Sequence, residues 1–156
     1  MVIYMIKRIR RSLCFSCLLI LTAGAIASDR VEYLNSGDVL PNELPFSEAV
    51  RVGETLYLSG QLGVKPGTME LASGGMTGQT RQTMENIKAT LNAYGYSMSE
   101  LVKCTIMLAD ISRWAEFNAV YVTFFEPPFP ARSAFGANGL ALGAEVEVEC
   151  IAVKQE

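Results

Sequence analysis

None of the 156 residues is a histidine, so chemistry in this chain falls to carboxylates, arginine, lysine, tyrosine, hydroxyls, backbone groups or a thiol. Ser-His-Asp and Cys-His pairs and imidazole-bearing zinc sites are excluded. Arg132 follows Pro130-Ala131, and Glu147 and Glu149 alternate with Val146 and Val148 near the C-terminus. Arginine offers a planar two-pronged donor that suits a carboxylate, and a carboxylate can accept and return a proton. Taken alone, Arg132 reads equally as a surface ion-pair partner, and the two glutamates as the solvated face of an edge strand. Asn118 reads as a polar residue in mid-helix, and Ser59-Gly60 as a strand end and its turn. The stretch 65–78 carries Gly67, Gly74, Gly75 and Gly78 but no Gly-Lys-Ser/Thr, so it is a poor phosphate loop. The cysteines do not have the spacing of a metal site.

Half of the residues are hydrophobic and 19% are charged, a balance that fits one domain with a real core. The charge is uneven. Lys7, Arg8, Arg10 and Arg11 precede an uncharged run from Leu13 to Ile26 that ends in Ala25-Ile26-Ala27. A basic start, an apolar run too short to span a membrane and a small-x-small triplet predict a secretory signal peptide over residues 1–27. Its removal takes four of the 13 basic residues and none of the 16 acidic ones, leaving a net charge of −7. Such a protein repels phosphate backbones, so nucleic-acid binding is disfavoured, and no membrane association is expected after cleavage. Of four cysteines only Cys104 and Cys150 would remain, in an exported, periplasmic setting where disulfides persist.

The elements that must carry the candidates follow from periodicity. Residues 28–45 are polar and broken by Asn35, Gly37, Pro41 and Pro45, and read as a lead-in segment on the surface; residues 46–156 form the domain. Glu48–Val52 and Thr55–Ser59 read as strands separated by Gly53-Glu54. Met84, Ile87, Leu91 and Tyr94 recur at helical spacing over Gln79–Tyr94, with Gly95 at the stop. Leu101–Leu108 is a buried strand. A second helix runs from Ser112, as N-cap, to Glu126 with Trp114, Phe117, Tyr121 and Phe124 inward, before Pro127-Pro128. Arg132–Phe135 and Glu145–Val153 are the last strands. Two strand-helix-strand crossovers of the same hand put both helices on one face of the sheet. In the last strand Val146, Val148, Cys150 and Ala152 then face the helices, while Glu147, Glu149, Ile151 and Val153 face outward. A bare, partly apolar sheet face invites oligomerisation.

Ala49-Val50-Arg51-Val52-Gly53, Leu58-Ser59-Gly60-Gln61, the helix from Gln79-Thr80-Arg81-Gln82 through Asn86-Ile87-Lys88, Phe117-Asn118-x-x-Tyr121, Pro130-Ala131-Arg132-Ser133 and Val146-Glu147-Val148-Glu149 together resemble the Rid family of reactive-intermediate deaminases, also called the YjgF type. The resemblance runs from about Asn35 to Lys154. It implies an α+β, chorismate-mutase-like domain with a mixed sheet and two helices on one face. It also implies a homotrimer with active sites between protomers. The implied activity is hydrolytic deamination of 2-imino and enamine acids, such as 2-aminoacrylate and 2-iminobutanoate, to 2-oxo acids and ammonia, without metal or organic cofactor. By the same resemblance Arg132 grips the substrate carboxylate and Glu147 places the attacking water, while Ser59, Gly60 and Asn118 shape the pocket. Cys104 and Cys150 become neighbours on adjacent strands, and whether they are bridged stays open. Three departures bear on the pocket. The family often has Cys where this chain has Ala134, Tyr where it has Phe46, and Leu-Pro-x-Gly where it has Leu140-Ala141-Leu142-Gly143. The alternatives are a non-catalytic module that holds a small carboxylate such as a 2-oxo acid, and chaperone-like or ribonuclease activity on the same trimer, the net charge of −7 weighing against RNA.

Overall fold

The computed structural model describes residues 30–155; the predicted signal peptide, 1–27, lies outside them. The described residues form seven strands, β1 (Val31–Leu34), β2 (Ala49–Val52), β3 (Thr55–Leu58), β4 (Gln61–Leu62), β5 (Leu101–Leu108), β6 (Ala131–Gly136) and β7 (Val146–Val153), with helices α1 (Gly75–Ala93) and α2 (Trp114–Tyr121). They make one mixed sheet in the order β1-β2-β3-β7-β5-β6, with β4 also paired to β7. β7 runs antiparallel to both β3 and β5, and β6 lies parallel to β5. The returning strand therefore inserts between two parallel neighbours that α1 connects, and α2 connects β5 to β6. Both crossovers place their helices on the same face.

The alternation expected in the last strand holds. Val146, Val148, Cys150 and Ala152 are buried, and Glu147, Ile151 and Val153 are half-buried on the other side. The buried set packs with Leu56, Leu58, Ile106 and Leu108 against Met84, Ile87 and Leu91 of α1 and Phe117 and Tyr121 of α2. Cys104 and Cys150 are directly opposed in the β5–β7 ladder and joined in a disulfide. On the far face Tyr57 and Phe135 are exposed, and among the described residues no element covers them.

Four features differ from the periodicity. The lead-in segment is not wholly superficial: Val31–Leu34 pairs with β2 as an edge strand, and Val39 is fully buried. Four alternating residues are too short a run to show above the surrounding turn residues. Gln61–Leu62, which the periodicity assigns to no strand, is a second short pairing onto β7. α1 starts at Gly75 rather than Gln79; the left-handed Gly74 (φ 95°) and Gly75 (φ 58°) turn the chain into it, and Met76 is already core. Ser112 does not cap the second helix. Regular helix is confined to Trp114–Tyr121 between short 3-10 turns and has no side-chain cap; Asp110 caps the preceding turn, Ile111–Arg113, its Oδ1 accepting from the Ser112 N–H at 2.9 Å.

Candidate functional site

Arg132 lies on β6 opposite Cys104, so its side chain is on the helix side of the sheet edge. α2 carries Trp114, Asn118 and Tyr121 at spacings of four and three residues, which line up on one helix face. The guanidinium carbon sits 4.4 Å from the Trp114 ring centroid and 4.9 Å from that of Tyr121, and Nη1 donates to Asn118 Oδ1 at 2.8 Å. The fork is thereby held by two aromatic faces and one amide. Beside it opens a cavity of about 360 Å³ lined by Asn118, Tyr121, Val122, Phe129, Pro130 and Arg132. Ala134, two residues on, lies on the same face of β6 and is exposed. The sequence marked Trp114 and Tyr121 only as core aromatics. The signal that they hold Arg132 was their placement on either side of Asn118 along one helical stripe.

Glu147 occupies the opposite face. It pairs with Met107 on one side and Leu62 on the other, and its carboxylate rests on the backbone of Gly60: a methyl group built there would stand 2.0 Å from Oε1. Only glycine leaves room for that carboxylate. Burial first, and the neighbouring Glu149 charge second, raise the Glu147 carboxyl above its ordinary 4.5. A carboxyl whose proton affinity is raised in this way is suited to taking a proton from water and giving it back.

Ser59 borders the same pair, but its hydroxyl is engaged, donating to the Ser47 carbonyl at 2.7 Å, while its N–H donates to the Glu48 carbonyl at 3.0 Å. Ser59 therefore ties down the segment that carries Phe46, whose ring is half-exposed. Glu48, which the sequence did not single out, is the hub of this wall. Its buried carboxylate accepts from Ser36 N–H and Oγ–H, from Thr90 Oγ1 at 3.1 Å and from Tyr94 OH at 2.6 Å. Burial pushes this carboxyl up, yet the bonds from Tyr94, Ser36 and Thr90 together hold it below its usual value.

The candidates thus fall into two groups. Arg132, Asn118 and Ala134 form one, and Glu147, Gly60, Ser59 and Phe46 the other. Within one chain the groups do not meet: Arg132 and Glu147 lie on opposite faces of the sheet, two strands and three residues apart, a Cα separation of roughly 14 Å from strand spacing.

The model of the endoribonuclease L-PSP family matches residues 37–154. The chain is 42% identical over 110 residues to the 2-iminobutanoate/2-iminopropanoate deaminase of Capra hircus, covering 70% of this chain and 80% of that protein. Among solved structures it is similar to RidA from an Antarctic Psychrobacter, with 39% identity and a TM-score of 0.74 over 79% of this chain and 99% of that one. It is also similar to Escherichia coli TdcF with bound serine, with 29% identity and a TM-score of 0.73 over 80% and 99% of the two chains.

Proposed function

Because this chain belongs to the endoribonuclease L-PSP family, the family of the Rid/YjgF proteins, we propose that it hydrolyses reactive 2-imino and enamine acids to 2-oxo acids and ammonia. The observation that carries the reading is the Arg132 fork, immobilised on α2 at the mouth of a cavity. The substrate carboxylate lies beside the C=N carbon, so gripping it fixes the reacting carbon. An enamine first takes a proton from solvent at C3 and becomes the protonated imine. Water then adds to C2: its oxygen forms the new C–O bond, the C=N π pair moves to nitrogen, and Glu147 takes the proton that water loses. Glu147 returns that proton to nitrogen; the hydroxyl O–H then gives its proton to Glu147 as its electron pair forms the C=O bond, the C–N bond breaks, ammonia leaves and carries that proton away as ammonium, and the 2-oxo acid remains.

For Arg132 and Glu147 to act on one molecule they must come from different copies of the chain, and we read the protein as a homotrimer with the site between protomers. The uncovered sheet face and the separation of the two half-sites support this. We also read it as exported after cleavage at Ala27; the Cys104–Cys150 disulfide suits an oxidising compartment, and the intact mass of exported protein tests it.

Subunit mixing tests the shared site. Arg132→Lys and Glu147→Gln proteins, each assayed with imino acids generated in situ, should each lose at least ~10-fold in turnover, about 1.4 kcal/mol in the barrier. Unfolded and refolded together in equal amounts, they should regain about one competent site in four by random assembly. A mixture no better than its parents refutes the shared site, and a wild-type chain that leaves imino acids untouched refutes the activity.

A further inference from the structure

The half-site at Arg132 also describes the rest of the ligand. Its cavity has one charged lining group, Arg132, the group to which the deaminase reading gives the substrate carboxylate. Asn118 and Tyr121 meet that guanidinium, and the rest of the lining is apolar: Val122 is 40% exposed and Phe129 55% exposed, with Pro130 between Phe129 and the β6 strand. These are large apolar groups left open to water beside a guanidinium.

Phe129 is not a loose side chain. It ends a run of ring contacts, Trp114 to Phe117 to Tyr121 to Phe125 to Phe129, with centroids 5.6, 5.4, 4.7 and 6.5 Å apart, the last edge-on. The same run begins at the ring on which Arg132 stacks. The carboxylate fork and the apolar wall are therefore set relative to one another by one continuous stack.

We infer, on the basis of the deaminase reading, that the substrate is a 2-imino acid whose side chain is apolar and larger than ethyl, lodged on Val122, Phe129 and Pro130 while Arg132 holds the carboxylate. The side chains of Val122, Phe129 and Pro130 offer an acidic substituent no donor, the polar lining groups Asn118 and Tyr121 being those that meet the guanidinium, and placing a second carboxylate on the apolar side strips that group of water without repayment. A methyl or ethyl side chain leaves most of the wall uncovered. Each additional methylene, half-buried here, is worth ~2-fold in kcat/KM, since full burial is worth ~4-fold.

Imino acids produced in situ by an amino-acid oxidase from leucine, phenylalanine, alanine and glutamate provide the test, with the mature chain added and kcat/KM measured for each. The leucine-derived imine should exceed the alanine-derived one by ~10-fold and the glutamate-derived one by more. Phe129→Ala and Val122→Thr should each lower the leucine-to-alanine ratio by ~3-fold. A ratio near one in the wild-type chain, or a ratio that neither variant moves, overturns the inference while leaving the deaminase reading intact. A fall in particle mass on Phe129→Ala with the ratio unchanged also overturns it, because the wall is then a subunit contact. If no imine is hydrolysed, the deaminase reading itself fails, and the inference with it.

Discussion

Substituting Gly60 by alanine perturbs the Glu147 carboxylate and little else. The new methyl would stand 2.0 Å from Oε1, 2.9 Å from Cδ and 3.1 Å from Cγ of Glu147, whereas ordinary contact begins at 3.4 Å. The oxygen must retreat by about 1.4 Å to reach that limit. Because the clash is with the free end of a side chain, and because Gly60 is not among the left-handed glycines, the backbone can stay where it is. Alanine also restricts the unfolded chain, a gain of ~0.4–1 kcal/mol that offsets part of the cost of moving the carboxylate. The effect on turnover is larger. A displacement of about 1 Å in a positioned catalytic group costs ~100-fold, close to 2.7 kcal/mol in the barrier. The assay compares kcat for imino-acid hydrolysis and the thermal midpoint in wild type, Gly60→Ala, Glu147→Gln and the double variant. The expected pattern is a ~100-fold loss of kcat in Gly60→Ala with a midpoint close to wild type. The double variant should be no slower than Glu147→Gln alone, since both changes disable one group. Wild-type turnover in Gly60→Ala would show that Glu147 does not place the water.

Trp114→Leu removes the nearer of the two rings under the Arg132 guanidinium; at ~1 kcal/mol for the cation–π contact, KM should rise about 5-fold with kcat little changed, and Trp114→Phe should restore most of it. A fall in kcat alone, or no rescue by phenylalanine, would contradict the positioning role. The raised Glu147 carboxyl must be ionised to accept a proton, so activity should fall as pH drops through a midpoint above 4.5. Glu149→Gln removes the like charge beside it and should move that midpoint to lower pH; an unmoved profile would assign the acid limb to another group. Glu48→Ala takes the acceptor away from Tyr94, Thr90 and Ser36 and should cost ~3 kcal/mol of stability by chemical denaturation. The Glu48 carboxyl is depressed in the fold, so its contribution is present above about pH 4.5 and is lost as pH falls below that. Denaturation curves at pH 7 and pH 3 should therefore differ less in Glu48→Ala than in wild type.

Several features were legible in the sequence because they depend on periodicity along one chain. The alternation of Val146 to Val153 told which residues of β7 face the helices, and Met84, Ile87 and Leu91 marked the inner stripe of α1. The crossovers then placed both helices on one face. The ordered set of short motifs ending in Pro130-Ala131-Arg132-Ser133 and Val146-Glu147-Val148-Glu149 led to the family.

Contacts between distant segments were not legible, because nothing in a local pattern states which partner a side chain will meet. The β1 and β4 pairings are too short to show a period, and the start of α1 was hidden in a glycine-rich stretch. The Glu48 hub joins residues up to 46 positions apart through donors of ordinary type. Trp114 and Tyr121 looked like core until the sheet edge laid Arg132 across them. The tertiary structure alone decided that Arg132 and Glu147 lie on opposite faces of one sheet. Strand register and the order β7-β5-β6 set that separation, and hydrogen bonding between strands, rather than any residue's own preference, determines both.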